Sequence, residues 1–155
     1  MEYGIVIGVG VNVFILLLKS LRPRVTVHYL MDRDTRVKYL LLLPDQGLCF
    51  PGVDFIRDKV NKIVQRHPDY PVTVVQCDKW TQWDYTAASS IATLAKNFEK
   101  MGKRLVLFRQ PSCWNEAFER LGVKVPVCCN NSAELYQVLH DVQADRDKLN
   151  GIRNK

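Results

Sequence analysis

The chain has 155 residues, 47% of them apolar and 25% charged, which suffices for one domain with a real core and a short extra segment but not for two full domains. A net charge of +6 and a pI near 9.1 admit an anionic membrane surface, nucleic acid or an acidic partner, so the placement of the charges decides among them. No basic stretch carries interleaved aromatics, which argues against nucleic acid, whereas Lys19, Arg22, Arg24, Arg33, Arg36 and Lys38 follow directly on a long apolar run.

That run, GIVIGVGVNVFILLL at residues 4–18, is free of charge, and its only polar side chain is Asn12. With its flanks it approaches the ~20 residues that cross a bilayer, which predicts a transmembrane helix over residues 1–22. A secretory signal would need its basic residues in front and a small-residue cleavage site behind, but Glu2 precedes the run and Lys19, Arg22 and Arg24 follow it. The same asymmetry makes Lys19, Arg22 and Arg24 the expected membrane-interface anchors and places the rest of the chain in the cytoplasm. Asn130-Asn131-Ser132 matches a glycosylation site and is therefore expected to stay unmodified. Gly8-x-Gly10 with Asp32 further on would begin a dinucleotide fingerprint, but the third glycine is missing and Pro23 leaves no room for the crossover helix. Gly4, Gly8 and Gly10 instead make a small-residue face suited to packing against other membrane helices.

After Pro23 the alternating VTVHYL (residues 25–30) reads as a strand, followed by a polar turn and then by the apolar run of residues 37–43, which Pro44 ends. A short extended piece follows at Leu48-Cys49-Phe50. Val53, Ile56, Val60, Ile63 and Val64 recur at helical steps, residues 72–75 form another buried strand, and the strongest helix runs over residues 86–101 with Gly102 as its C-cap. Residues 104–108 are a strand, 114–120 a short helix and 123–128 a last extended stretch. Ser132 then starts a final helix carrying Leu135, Val138, Leu139 and Val142. The expected organisation is a membrane helix at 1–22, an α/β domain at 23–145 with a mixed sheet and covering helices, and a charged tail at 146–155. The five cysteines, Cys49, Cys77, Cys113, Cys128 and Cys129, form no CxxC pair and have no histidine at zinc spacing, as expected in a reducing compartment.

The order of GLCFPGVDFIRDKV, PVTVVQCDKWTQWDYTAASSI, KRLVLF and LGVKV resembles a STAS domain, the module shared by sulfate-anion transporters and bacterial anti-sigma-factor antagonists. The upstream helix and Leu21-Arg22-Pro23-Arg24 are similar to the junction between the last membrane helix and the STAS domain of SulP-type transporters, above all the animal sodium-independent sulfate transporters. The resemblance implies the C-terminal portion of a sulfate or related anion transporter of the secondary active kind. Its STAS domain would serve regulation or assembly, and its partners would be the membrane, the remaining transporter helices and a second copy of itself. The alternative is a membrane-tethered STAS module without transport of its own.

In the bacterial relatives the turn before the long helix accepts a phosphate, and by position that residue is Thr86, preceded by Asp84; either one could equally cap the helix. Trp80, Trp83 and Tyr85 crowd this same turn, either as an interaction patch or as core. His28, His67 and His140 are far apart in sequence and no nucleophile or metal constellation is visible. No enzyme activity, cofactor, metal or nucleic acid is expected, and sulfate would be met only through the full transporter.

Overall fold

The structure, a computed structural model, describes residues 2–21, 24–45, 52–80, 85–122 and 126–153. Helix α1 (Glu2–Leu21) leads into β1 (Val25–Met31) and β2 (Lys38–Pro44), then α2 (Gly52–Arg66), β3 (Val72–Gln76) and α3 (Tyr85–Lys100). The chain continues through β4 (Arg104–Phe108), α4 (Cys113–Arg120), β5 (Val127–Cys129) and α5 (Ser132–Arg153). The strands lie in one sheet in sequence order, with β1 antiparallel to β2 and every later neighbour parallel. The expected mixed sheet with covering helices is therefore present.

Parallel neighbours need crossover connections, and the crossovers bury both faces of the sheet. On one face Leu40, Leu42, Val75, Leu105 and Leu107 meet the apolar stripes of α2, α3 and α4. On the other, Val72, Val74, Val106 and Cys129 meet Leu139 and Val142 of α5. Four successive residues of β3 are buried, which is why this strand reads as an unbroken apolar run. The antiparallel β1 keeps only Val25 buried and exposes one residue after another along its length.

Two local devices fix the ends of elements. Gly102 has φ +66, the left-handed conformation that ends α3, and the N–H of Lys103 returns to the carbonyl of Phe98 at 2.9 Å. In the β1–β2 turn the Asp32 carboxylate accepts from the N–H and hydroxyl of Thr35, at 2.9 and 2.7 Å. These two bonds, the backbone one first, hold the Asp32 carboxyl below its ordinary range.

Two expectations change. Helix α5 does not stop before the charged segment at 146–155 but runs on to Arg153; Gln143 donates to Asp147 one turn later at 3.0 Å, a contact that helps polar positions remain helical. Secondly, α1 is a helix whose side chains from Tyr3 to Leu18 are exposed, yet among the described residues no helix is long and apolar enough to cross a membrane. The uncharged stretch between Glu2 and Lys19 holds 16 residues. At 1.5 Å per residue it spans about 24 Å, short of the ~30 Å of a hydrocarbon core. The structure shows the helix and not the crossing. The short extended piece at residues 48–50 lies outside the described residues.

Leu107 is fully buried in the central strand β4, and Leu107→Ala is expected to cost about 2–5 kcal/mol. Thr73 is also fully buried, and its hydroxyl has no hydrogen-bond partner among the described residues, so Thr73→Val is expected to stabilise by on the order of 1 kcal/mol. Thermal unfolding of the full chain in detergent micelles checks both: the two midpoints should move in opposite directions.

Candidate functional site

Because β2, β3 and β4 are parallel, their C-terminal ends, Pro44, Gln76 and Phe108, share one end of the sheet, and β1 begins there as the partner of Pro44. The N-termini of α2, α3 and α4 follow these strand ends, so four helix termini converge on one side of the domain when the end of α1 is included. Two lysines secure this end. Lys59 donates to the carbonyl of Val25 at 3.4 Å and Lys79 to that of Asp45 at 3.0 Å, while the N–H of Asp45 reaches the carbonyl of Arg24 at 3.0 Å.

The aromatic turn after β3 divides. Trp80 is fully buried, with its backbone N–H on the carbonyl of Cys77 at 2.9 Å and its ring 5.0 Å from that of Trp114. The Trp114 indole donates to the Trp80 carbonyl at 3.3 Å, and Phe118 lies 6.0 Å beyond it. Trp80 is therefore core and not part of an exposed patch: a large ring gains more by filling the space between α3 and α4 than by facing water. Tyr85, the first residue of α3, is 70% exposed, and Thr86 beside it is exposed too, with Ala87 and Ala88 fully buried beneath them. Trp83 and Asp84 lie outside the described residues. The exposed Thr86 hydroxyl sits in the first turn of a 16-residue helix that has no acidic residue there, an electrostatic setting compatible with an added phosphate.

Of the expected interface anchors, Lys19 belongs to the last turn of α1, Arg24 is exposed at the start of β1, and Arg22 lies outside the described residues. Arg33, Arg36 and Lys38 are placed differently from their position in sequence. They sit at the β1–β2 turn, and the seven residues of β1 carry them about 23 Å from the end where α1 arrives. Arg36 holds φ 54 in that turn. Sequence reasoning also missed a corner beside this turn, where Tyr29 meets the imidazole of His67 at 3.2 Å and the rings of Tyr29, His67 and Tyr70 lie 4.9 to 5.9 Å apart. Lys103 joins the corner from the residue before β4, donating to the carbonyls of Val64 and His67 at 3.0 Å each; burial lowers its pKa. The contacts that join β1, the end of α2 and Lys103 link residues 36 to 41 positions apart, so no local pattern announces them.

No protein-family profile matches the chain. In sequence it is similar to a sodium-independent sulfate anion transporter of Bos taurus, 28% identical over 127 residues that cover 81% of this chain. The chain spans only 18% of that protein's length. In structure it is similar to the murine Solute Carrier 26 family member A9 anion transporter in the inward-facing state, with a TM-score of 0.69 and 12% identity over 90% of this chain and 26% of that one. A variant of RsbS from Moorella thermoacetica matches over 75% of this chain and 96% of its own, with a TM-score of 0.59 and 12% identity. The unphosphorylated anti-sigma factor antagonist SpoIIAA matches over 72% of this chain and 94% of its own, with a TM-score of 0.51 and 12% identity.

The fold is STAS-like. The two bacterial proteins are matched almost over their whole lengths, so their likeness delimits the STAS-like domain within this chain. The transporter match is longer: residues 24–155 are 132 of the 155, less than the 90% covered, so the likeness takes in part of α1 as well.

Cys77, Cys128 and Cys129 are set against reactivity. Burial pushes Cys128 up to about 11 and raises Cys77 and Cys129 as well. Iodoacetamide labelling of Cys128 in the folded chain is therefore expected to keep rising about tenfold per pH unit from pH 8 to 10, where an ordinary thiol levels off near pH 9, as peptide mass spectrometry of timed samples would read out.

Proposed function

We propose that this chain is the C-terminal portion of a sulfate or related anion transporter, in which α1 is the last membrane helix and the STAS-like domain serves assembly or regulation on the cytoplasmic side. The observation that carries the proposal is the sequence similarity to a sulfate anion transporter over 81% of the chain. The length of the structural match, which reaches beyond the STAS-like domain into α1, adds to it.

The exposure of α1 supports its membrane role. Ile5, Phe14 and Leu17 are 70%, 60% and 57% exposed, and a helix with apolar residues on every side gains nothing from water. Its marginal length is accommodated if Lys19 and Arg22 extend to the headgroups and if neighbouring helices share the span. Gly4, Gly8 and Gly10 leave open space at their Cα atoms, the kind of surface that lets another helix approach closely. One helix encloses no path for an anion, so the substrate site and the coupling mechanism belong to other helices of the transporter. The domain itself is proposed as non-catalytic and, with its transporter, as part of a homodimer. Within it, Thr86 is the proposed position for a phosphate-dependent change at the end of the domain that α1 joins.

An immunoblot of native membranes with an antibody against residues 52–70 tests this. The expected result is a membrane-bound band far larger than the 17.9 kDa of this chain, resistant to alkaline carbonate extraction. A membrane-bound band near 17.9 kDa would replace the transporter with a tethered STAS-like module, and release into the soluble fraction would remove the membrane helix from the proposal.

A further inference from the structure

Where the end of α2 meets the start of β4, one lysine is held differently from the others. Lys103 is half-buried and donates to two carbonyls at the α2 C-terminus, those of Val64 and His67, at 3.0 Å each. Lys59 and Lys79 each reach a single carbonyl, and among the described residues no ion pair engages Lys103. An ammonium has three N–H bonds to place, whereas a neutral amine has two and a lone pair. Two carbonyls therefore satisfy the neutral form of Lys103 completely and leave its lone pair free, while the third N–H of the charged form finds no acceptor among the described residues.

The surroundings favour the same form and give access to it. Burial lowers the pKa of Lys103, and the Asp69 carboxylate opposes that shift without cancelling it. Desolvation of this kind is what turns a lysine into a nucleophile. Lys103 also lines two adjoining cavities, one of about 350 Å³ with Pro71, Gly102 and Val142 and one of about 320 Å³ with Ala95, Leu105 and Pro126. The charged groups around them are Glu99, Arg104, Asp145 and Arg146, of which Arg104 is paired to Asp145 at 2.6 Å. Apolar walls on either side of an amine suit a short acyl chain.

We propose that Lys103 is an acylation site whose co-reactant is an acyl thioester. The nitrogen lone pair attacks the thioester carbonyl, a new N–C bond replaces the C–S bond, and the sulfur departs as a thiol with the proton that the nitrogen gives up. The product amide is neutral and keeps a single N–H, so it holds one of the two α2 carbonyls and not both. Loss of that bond frees the turn that sets His67 against Tyr29, and the modification loosens the corner at the far end of β1.

The test uses the full chain in detergent micelles and S-acetyl-N-acetylcysteamine, a small neutral thioester. Cleavage after glutamate gives one peptide, residues 100–116, that carries both Lys103 and the exposed Lys100, so tandem mass spectrometry compares the two lysines within one molecule. At pH 7.5 Lys103 is expected to be acetylated at least about threefold faster than Lys100, with the ratio falling toward pH 10 as Lys100 loses its own proton. A rate at pH 7.5 no higher than that of Lys100, or a ratio that does not fall with pH, overturns the proposal. The structural consequence is read by amide hydrogen exchange at residues 66–70. Lys103→Gln, which copies the neutral amide, should speed this exchange about fivefold or more, and Lys103→Arg, which keeps the charge and the donors, should leave it within about twofold. Equal exchange in the two variants overturns the loosening of the corner. The acetylation ratio is measured on the unaltered chain, so it decides the site even where Lys103→Gln does not fold.

Discussion

The parallel pairing of β2, β3, β4 and β5 is the constraint on which the rest of the molecule depends. Each parallel step obliges the chain to leave one end of the sheet and return to the other, and α2, α3 and α4 make those returns across a single face. Their N-termini consequently gather at one end with Thr86 among them, and their C-termini gather at the opposite end, each finishing in a basic residue, Arg66, Lys100 or Arg120. Cations at helix C-termini offset the partial negative charge there, so part of the domain's basic character is a requirement of its helices. Among the described residues helix α5 alone closes the second face, which makes Leu139 and Val142 the residues on which the smaller core turns.

Most of this architecture was legible in the sequence because the fold places its apolar residues at regular intervals. The alternation of VTVHYL gave β1, the stripe of Ala87, Ile91, Leu94 and Phe98 gave α3, and Gly102 marked its end within a residue. Legibility failed where a residue's fate is set by distant neighbours. Trp80 and Tyr85 are five positions apart and chemically alike, yet one is core and the other is exposed, because only Trp80 faces Trp114, which is 34 positions further along. The extent of α5 was missed for a different reason: beyond position 145 its polar side chains carry no periodic apolar signal, and short-range contacts such as Gln143 with Asp147 are invisible to a hydropathy pattern.

Charge was the most misleading signal. Read along the chain, Arg33, Arg36 and Lys38 extend the basic cluster that begins at Lys19, and they invite the same membrane-facing explanation. Read in space, a single strand separates the two groups. The clusters occupy different places: Lys19 and Arg24 belong where α1 meets β1, while the turn residues lie at the other end of β1, near Tyr29. Proximity in sequence is a guide to function only as far as the intervening element leaves the chain in place, and an extended strand moves it farther per residue than any other regular structure.

The connection between α1 and the domain carries a mechanical consequence. Leu21 and Val25 are four residue steps apart, a reach of at most about 14 Å, and Val25 is bonded through its carbonyl to Lys59 of α2 and registered against Pro44 of β2. A displacement of the end of α1 by more than that reach must therefore be passed on to β1, and through its seven paired residues to β2 and the sheet behind it.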